Sequence, residues 1–146
     1  MSFSYWLIEG IGIEAGKIEP FINKEKLAKL IIREIPDDES LIQMVKSNCY
    51  DALDVDDFLY GCPFDDLADL LTHCDDTDTI TYGNDGENGS YFYYPPSMPW
   101  HRKQNEPRTL EEVHRRIIKA VKTITDLSSK EIEKMIDDDL YVVGCG

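Results

Sequence analysis

The densest group of side chains with metal-binding chemistry lies at residues 72–78, Thr-His-Cys-Asp-Asp-Thr-Asp. Zinc accepts imidazole, thiolate and carboxylate ligands, and all three are present here, where a predicted helix ends. Because adjacent residues rarely bind one ion together, His73 or Cys74 would need partners from elsewhere, and Cys62 and Cys145 are the candidates. The interpretation that we favour for this stretch is a solvated acidic helix end with a buried Cys74 thiol. The alternative is a structural zinc site.

Other site chemistries fit the sequence less well. Asp76 and Glu87 have the first and last positions of an EF-hand loop, but Ile80 and Thr81 stand where an oxygen ligand and a glycine are required. Neighbouring aspartates could do acid–base work or hold a divalent ion, so a small divalent-metal hydrolase is kept as an alternative. The sequence contains no GxSxG, HExxH, P-loop or kinase motif. We therefore expect a protein that is not an enzyme.

The net charge of −14 arises in one acidic segment, Asp37 to Glu87. That segment holds 15 acids and one base, while the remaining sequence holds 14 of each and sums to zero. A concentrated negative field attracts cations and basic proteins, and it argues against direct contact with nucleic acid or anionic lipid. We therefore expect a basic, nucleic-acid-binding protein partner, inhibited by carboxylates that take the place of phosphates. The predicted contact residues are Asp54, Asp56, Asp57, Asp65, Asp66 and Asp69.

An aromatic stretch, Tyr91 to Trp100, is the second distinctive feature. Tyrosine, tryptophan and methionine are favoured at protein interfaces, so Tyr93 and Trp100 are predicted as apolar anchors for the partner. The alternative is a central strand that is buried on both faces. A basic helix face, formed by Arg115, Arg116, Lys119 and Lys122, is expected to lie against part of the acidic segment.

Length and composition indicate one domain, residues 1–146, with a hydrophobic core. No run approaches the roughly 18 apolar residues of a membrane span, and no export signal is visible, so the cytoplasm is the expected location. The four cysteines lack CxxC spacing, and in a cytosolic chain they are expected to be free thiols or metal ligands.

Helices are predicted where apolar residues recur at helical spacing behind a capping side chain. One helix runs from Asn23 to Ile35, where Pro36 stops it. Two more cover residues 37–49 and 63–74. Capping boxes at Thr109 and Ser128 open the last two helices, the second of which is expected to end near Leu140.

Strands are predicted at residues 3–13, 77–82, 90–94 and 141–143, and Gly10 and Gly12 indicate a bulge or a close backbone approach in the first. The glycine- and asparagine-rich residues 83–89 predict the tip of a hairpin. The fold class is therefore α+β. A small, mostly antiparallel sheet of the N-terminal strand, the central hairpin and the C-terminal strand packs with four or five helices.

Residues 71–100, LTHCDDTDTITYGNDGENGSYFYYPPSMPW, resemble uncharacterised small proteins of Firmicutes genomes and their mobile elements. That resemblance implies no activity. In size and charge the chain also resembles phage-encoded anti-CRISPR inhibitors, which block a basic nucleic-acid channel with carboxylates. This second resemblance implies a CRISPR effector nuclease as the partner.

Overall fold

In the computed structural model, residues 5–55, 64–75, 79–86, 89–96, 107 and 109–145 are described. They form an α+β fold, as the sequence predicts. The strands are β1 (Tyr5–Glu14), β2 (Thr81–Asn84), β3 (Ser90–Tyr94) and β4 (Asp137–Cys145). The α-helices are α1 (Lys24–Glu34), α2 (Glu39–Ser47), α3 (Leu67–Thr72), α4 (Leu110–Lys122) and α5 (Ser129–Met135).

The four strands form one sheet in the order β2-β3-β1-β4, and each pairing is antiparallel. β2 and β3 are the predicted hairpin. β1 lies between β3 and β4, so that Ile13 pairs with Phe92 and Ile8 pairs with Val142. The expected pairing of the terminal strands with the hairpin is therefore confirmed for β1, while β4 reaches the sheet through β1.

Side-chain caps fix the starts of the helices. Asn23, Thr109 and Ser128 each accept a hydrogen bond from the backbone amide three residues on, as predicted. Asp38 caps α2 in the same way. The third predicted helix begins later than residue 63, because Asp66 is its cap and Leu67 its first residue.

Two predicted boundaries are wrong. The last helix ends at Met135 instead of near Leu140, and β4 begins at Asp137, because three successive aspartates favour a helix poorly and β1 offers a partner as far as Gly12. The first hairpin strand begins at Thr81 instead of residue 77. Its preceding amides, of Thr79 and Ile80, point to the Asp75 carboxylate.

β1 bends sharply at its glycines, as the sequence predicts. The register with β4 shifts between Gly10 and Gly12, and Gly10 has a φ of 140°. A Cβ on Gly10 would lie 2.0 Å from the Tyr94 carbonyl oxygen, and one on Gly12 would lie 2.4 Å from the Tyr93 Cβ. The backbones of β1 and β3 therefore approach more closely here than any side chain allows.

The bend brings the first half of β1 across to β2, although β3 separates the two strands in the sheet. The Trp6 indole Nε1 donates a hydrogen bond of 2.6 Å to the Asn84 carbonyl oxygen. The Ile8 side chain also packs against Gly83 of β2, because a Cβ added to Gly83 would lie 3.4 Å from it. The sheet is therefore strongly curled.

The core lies between the sheet and the helices. Its largest fully buried members include Ile13 and Phe92 of the sheet, Leu27 and Ile31 of α1, Leu70 and Leu71 of α3, and Ile117 of α4. The loop after α4 closes this core on the α1 side, where the Asn23 amide donates to the Ile124 carbonyl at 2.8 Å. Helices α1, α3 and α4 therefore share one apolar core with the sheet.

We expect Gly10→Ala to destabilise the protein by about 2–4 kcal/mol, because the new methyl group meets backbone and the φ is positive. Urea unfolding followed by circular dichroism measures this change. Gly16→Ala is the matched control, since a Cβ there meets its nearest atom at 3.9 Å. The control should change stability by less than about 1 kcal/mol. Equal effects of the two substitutions would contradict the close approach of β1 and β3.

Candidate functional site

Four of the predicted site residues share one short helix. Asp65, Asp66, Asp69 and His73 lie on or beside α3, and two residues from distant parts of the chain join them: Glu34 at the end of α1 and Tyr82 in β2. We call these six residues the α3 cluster. The structure therefore combines three predicted contact aspartates with one predicted metal ligand.

The three aspartates of the α3 cluster are fixed by backbone hydrogen bonds. Asp66 caps α3 by accepting from the Asp69 amide at 2.9 Å, and only 8% of Asp66 is exposed. Asp69 in turn accepts from the Asp65 amide at 2.9 Å. Asp65 itself is exposed. Of the three, Asp65 is therefore the one best placed to meet a partner.

Tyr82 holds the exposed carboxylate from the other side. Its hydroxyl donates a hydrogen bond of 2.7 Å to the Asp65 Oδ2. This bond, followed by burial and by the charges of Asp69, Asp65 and Asp66, raises the pKa of Tyr82 to about 12. The hydroxyl therefore stays protonated, and stays a donor, well above its ordinary range.

His73 closes the cluster between two acids. Its Nδ1 lies 3.5 Å from the Glu34 Oε2, and its Nε2 lies 3.8 Å from the Asp69 Oδ1. The Phe64 ring packs edge-on against the imidazole, with centroids 5.0 Å apart. Arg33 donates to the His73 carbonyl at 2.9 Å. The histidine thus links the end of α1 to the end of α3.

The predicted zinc ligands have separate surroundings in the part that is described. Cys74 is buried and its Sγ lies 3.6 Å from the Leu70 carbonyl, whereas His73 is exposed between two carboxylates. Cys62 lies outside the described residues, and only the backbone of Cys145 is described. Among the described residues, no three His, Cys, Asp or Glu side chains are grouped to hold an ion.

Most of the described acidic segment has a structural use. Ten of its 15 acids are described, and six of these accept hydrogen bonds within the chain: Asp38, Asp65, Asp66, Asp69, Asp75 and Asp85. Five of the six accept from backbone amides, in caps and turns. The exposed acids are Asp37, Glu39, Asp51, Asp54 and Asp65. Asp56 and Asp57 lie outside the described residues.

The aromatic stretch enters the middle of the sheet. β3 lies between β2 and β1, Phe92 is fully buried, and Tyr93 is partly buried. Burial raises the pKa of Tyr93. Trp100 lies outside the described residues. This strand is therefore central in the sheet, with one residue, Phe92, buried and its other residues partly buried.

One contact of the basic helix face is described. The Arg116 guanidinium of α4 donates a hydrogen bond of 3.0 Å to the Thr79 hydroxyl, and Thr79 belongs to the acidic segment. The same helix carries Lys119 and Lys122 in its last turn, where cations complement the helix dipole.

Local sequence patterns could not identify Glu34 and Tyr82 as members of the cluster. Glu34 is 39 positions from His73, and Tyr82 is 17 from Asp65. From the sequence alone, Glu34 is an ordinary exposed residue of an amphipathic helix. Tyr82 is one of several aromatic residues in predicted strands. Their association depends on the packing of α1 and β2 against α3.

Comparison with protein-family models, with curated proteins and with solved structures finds no match for this chain. Within the described ranges, no helix is both long enough and apolar enough to cross a membrane.

Tyr82→Phe tests the hydrogen bond to Asp65. In the unfolded chain tyrosine ionises near pH 10, so a folded-state pKa of about 12 gives a stabilisation that is complete below pH 10 and is lost as the pH rises to 12. We expect the variant to be less stable than the wild type by about 1 kcal/mol at pH 8. The difference should shrink between pH 10 and 12.

Urea unfolding at several pH values measures this difference, and ultraviolet titration of tyrosine provides a second readout. Asp65→Asn is the matched variant, since it keeps an acceptor oxygen but removes the charge. It should lower the pKa of Tyr82. Parallel stability curves for wild type and Tyr82→Phe from pH 8 to 12 would rule out the coupling.

Proposed function

We propose that this protein is an acidic binding protein that inhibits a basic, nucleic-acid-binding partner by offering carboxylates to its phosphate-binding lysines and arginines. The observation that carries the proposal is the confinement of the whole net charge, −14, to residues 37–87. Within that segment Asp51, Asp54 and Asp65 are exposed. The resemblance in size and charge to anti-CRISPR inhibitors suggests a CRISPR effector nuclease as the partner.

A fixed carboxylate supports this proposal because it can take the place of a phosphate in a hydrogen bond with arginine. Asp65 is held by the Tyr82 hydroxyl, and its own backbone amide is bound by Asp69. A side chain that is already ordered loses less entropy when it meets an arginine. Bidentate bonds of arginine to carboxylate and to phosphate have the same fork geometry.

Exposure supports some of the described aspartates as contact residues more than others. Asp54 and Asp65 are exposed and stay in the proposed contact set. Asp69 is mostly covered, with 15% of its side chain exposed, and Asp66 is committed to the helix cap. We therefore assign the direct contacts to Asp54 and Asp65, and we give Asp66 and Asp69 the role of positioning α3 and Asp65.

Inhibition of purified nucleases tests the proposal. DNA cleavage by a panel of basic nucleases that includes CRISPR effectors is measured against increasing protein, with and without competing DNA. We expect inhibition of at least one effector, relieved by competing DNA. Asp54→Asn with Asp65→Asn should weaken it about tenfold or more, because charge-assisted hydrogen bonds contribute about 1.5–3 kcal/mol each.

Glu111→Gln with Glu131→Gln is the matched control, because both residues are exposed, both lie outside the acidic segment, and glutamine can keep the capping bond of Glu131 to the Ser128 amide. It changes the net charge by the same two units and should leave inhibition unchanged. Equal weakening by the two double variants would show that net charge alone acts. Absence of inhibition across the panel would reject the proposed function.

A further inference from the structure

Among the described strands, β4 is one of the two edge strands of the sheet. It is nine residues long, and no described strand pairs with the side that faces away from β1. An edge strand presents a row of amide and carbonyl groups that can pair with another chain unless charge, proline or a bulge protects it. The protection of β4 is uneven along its length.

Its first third is protected by carboxylates. Asp137, Asp138 and Asp139 are exposed, and the Asp137 Oδ1 accepts from the Asp139 amide at 2.9 Å. The Asp138 carboxylate contacts the His114 imidazole of α4, so it is anchored as well. The Asp139 amide is therefore satisfied by its own strand.

The second half of β4 carries no charge and has a usable edge. Alternate residues of an antiparallel strand point their amide and carbonyl groups to the same side. Residues 140–145 each lie opposite a residue of β1, so alternate amides and carbonyls in this part of β4 point away from β1, to the open side.

Exposed apolar side chains adjoin these amides. Six large apolar side chains are exposed in the described part of the chain, and four of them lie on β1 and β4. Tyr141 is 65% exposed, Val143 is 56% exposed, and Leu7, directly opposite Val143, is 45% exposed. Residues at alternate positions share one face, so these three form one apolar patch beside the edge.

The negative charge of the protein favours a basic segment as the strand that pairs with β4. A second copy of a chain with a net charge of −14 would be repelled over long range, and the three aspartates attract cations. An extended segment with alternate apolar residues would pair with Tyr141 and Val143, and lysines or arginines that follow it would reach Asp137 to Asp139 in antiparallel pairing, the slightly more stable arrangement.

We infer that β4 is a docking strand for an extended segment of the basic partner, apolar at alternate positions and basic at its carboxyl end. The inference relies on the proposed function only for the basic character of that partner. Its contacts lie outside the acidic segment, on the β1–β4 side of the sheet. Edge pairing and inhibition through Asp54 and Asp65 can therefore be separated by mutation.

Selection from a random nine-residue peptide library, displayed on phage, tests this inference directly. We expect enriched peptides with apolar residues at alternate positions followed by two or more Lys or Arg. Synthetic versions should bind the wild-type protein in fluorescence anisotropy. Hydrogen exchange of alternate amides among residues 140–145 should slow when a peptide is bound. Failure to enrich peptides, or enriched peptides without this pattern, would overturn the inference.

Val143→Lys places a charge in the apolar patch beside the edge and should weaken peptide binding about tenfold. Tyr141→Lys, at a side chain that is 65% exposed, should have the same effect and serves if the first variant does not fold. Val143→Thr is the control and should retain binding. Equal peptide affinity in the wild type and the two lysine variants would refute edge pairing.

Two further results separate the alternatives. Concentration-dependent dimerisation of the wild type that Val143→Lys prevents would assign the edge to a second copy and overturn the inference. The variant with Asp54→Asn and Asp65→Asn should keep full peptide affinity. A loss of nuclease inhibition and a loss of edge pairing are therefore distinct outcomes.

Discussion

The close approach of β1 to β3 at Gly10 is the constraint on which the rest of the structure depends. The Gly10 backbone lies where a side chain would collide with the Tyr94 carbonyl, and its positive φ turns the strand. The first half of β1 therefore crosses to β2, where Trp6 and Ile8 make their contacts. The same bend separates β1 into a part shared by β3 and β4 and a part paired with β4 alone.

Aspartate has two uses in this protein, and one residue can serve both. A short carboxylate reaches a nearby backbone amide and so fixes a cap or a turn. It keeps its negative charge while it does so. Asp65 accepts a hydrogen bond from Tyr82 and remains exposed, whereas Asp66 caps α3 and is buried. Some aspartates of residues 37–87 therefore fix helix caps and turns, and others give the surface its negative charge.

Local features of the fold could be predicted from the sequence because their causes are local. The caps at Asn23, Thr109 and Ser128 each depend on a few neighbouring residues. The start of β4 could not be predicted, since it depends on pairing with a strand more than a hundred residues away.

The candidate site shows the same division between local and distant causes. The aspartates around α3 stand out in the sequence. Glu34 and Tyr82 join them only through tertiary packing, and Asp66 could not be recognised as a buried cap until the start of α3 was known. Cys74 and His73 are adjacent in sequence, yet one is buried and the other exposed. A motif that is compact in sequence need not be compact in space.

The pairing of β1 with β4 also determines how the chain can fold. The partners are separated by 125 residues at the Gly12–Asp137 end and by 140 at the Tyr5–Cys145 end. The chain loses conformational entropy when so long a loop closes, before the contacts between the strands stabilise it. Folds with such distant contacts therefore form slowly. During synthesis β1 is made first but has no β4 to pair with until residue 145 has left the ribosome. The exposed apolar patch of Leu7, Tyr141 and Val143 is therefore assembled last.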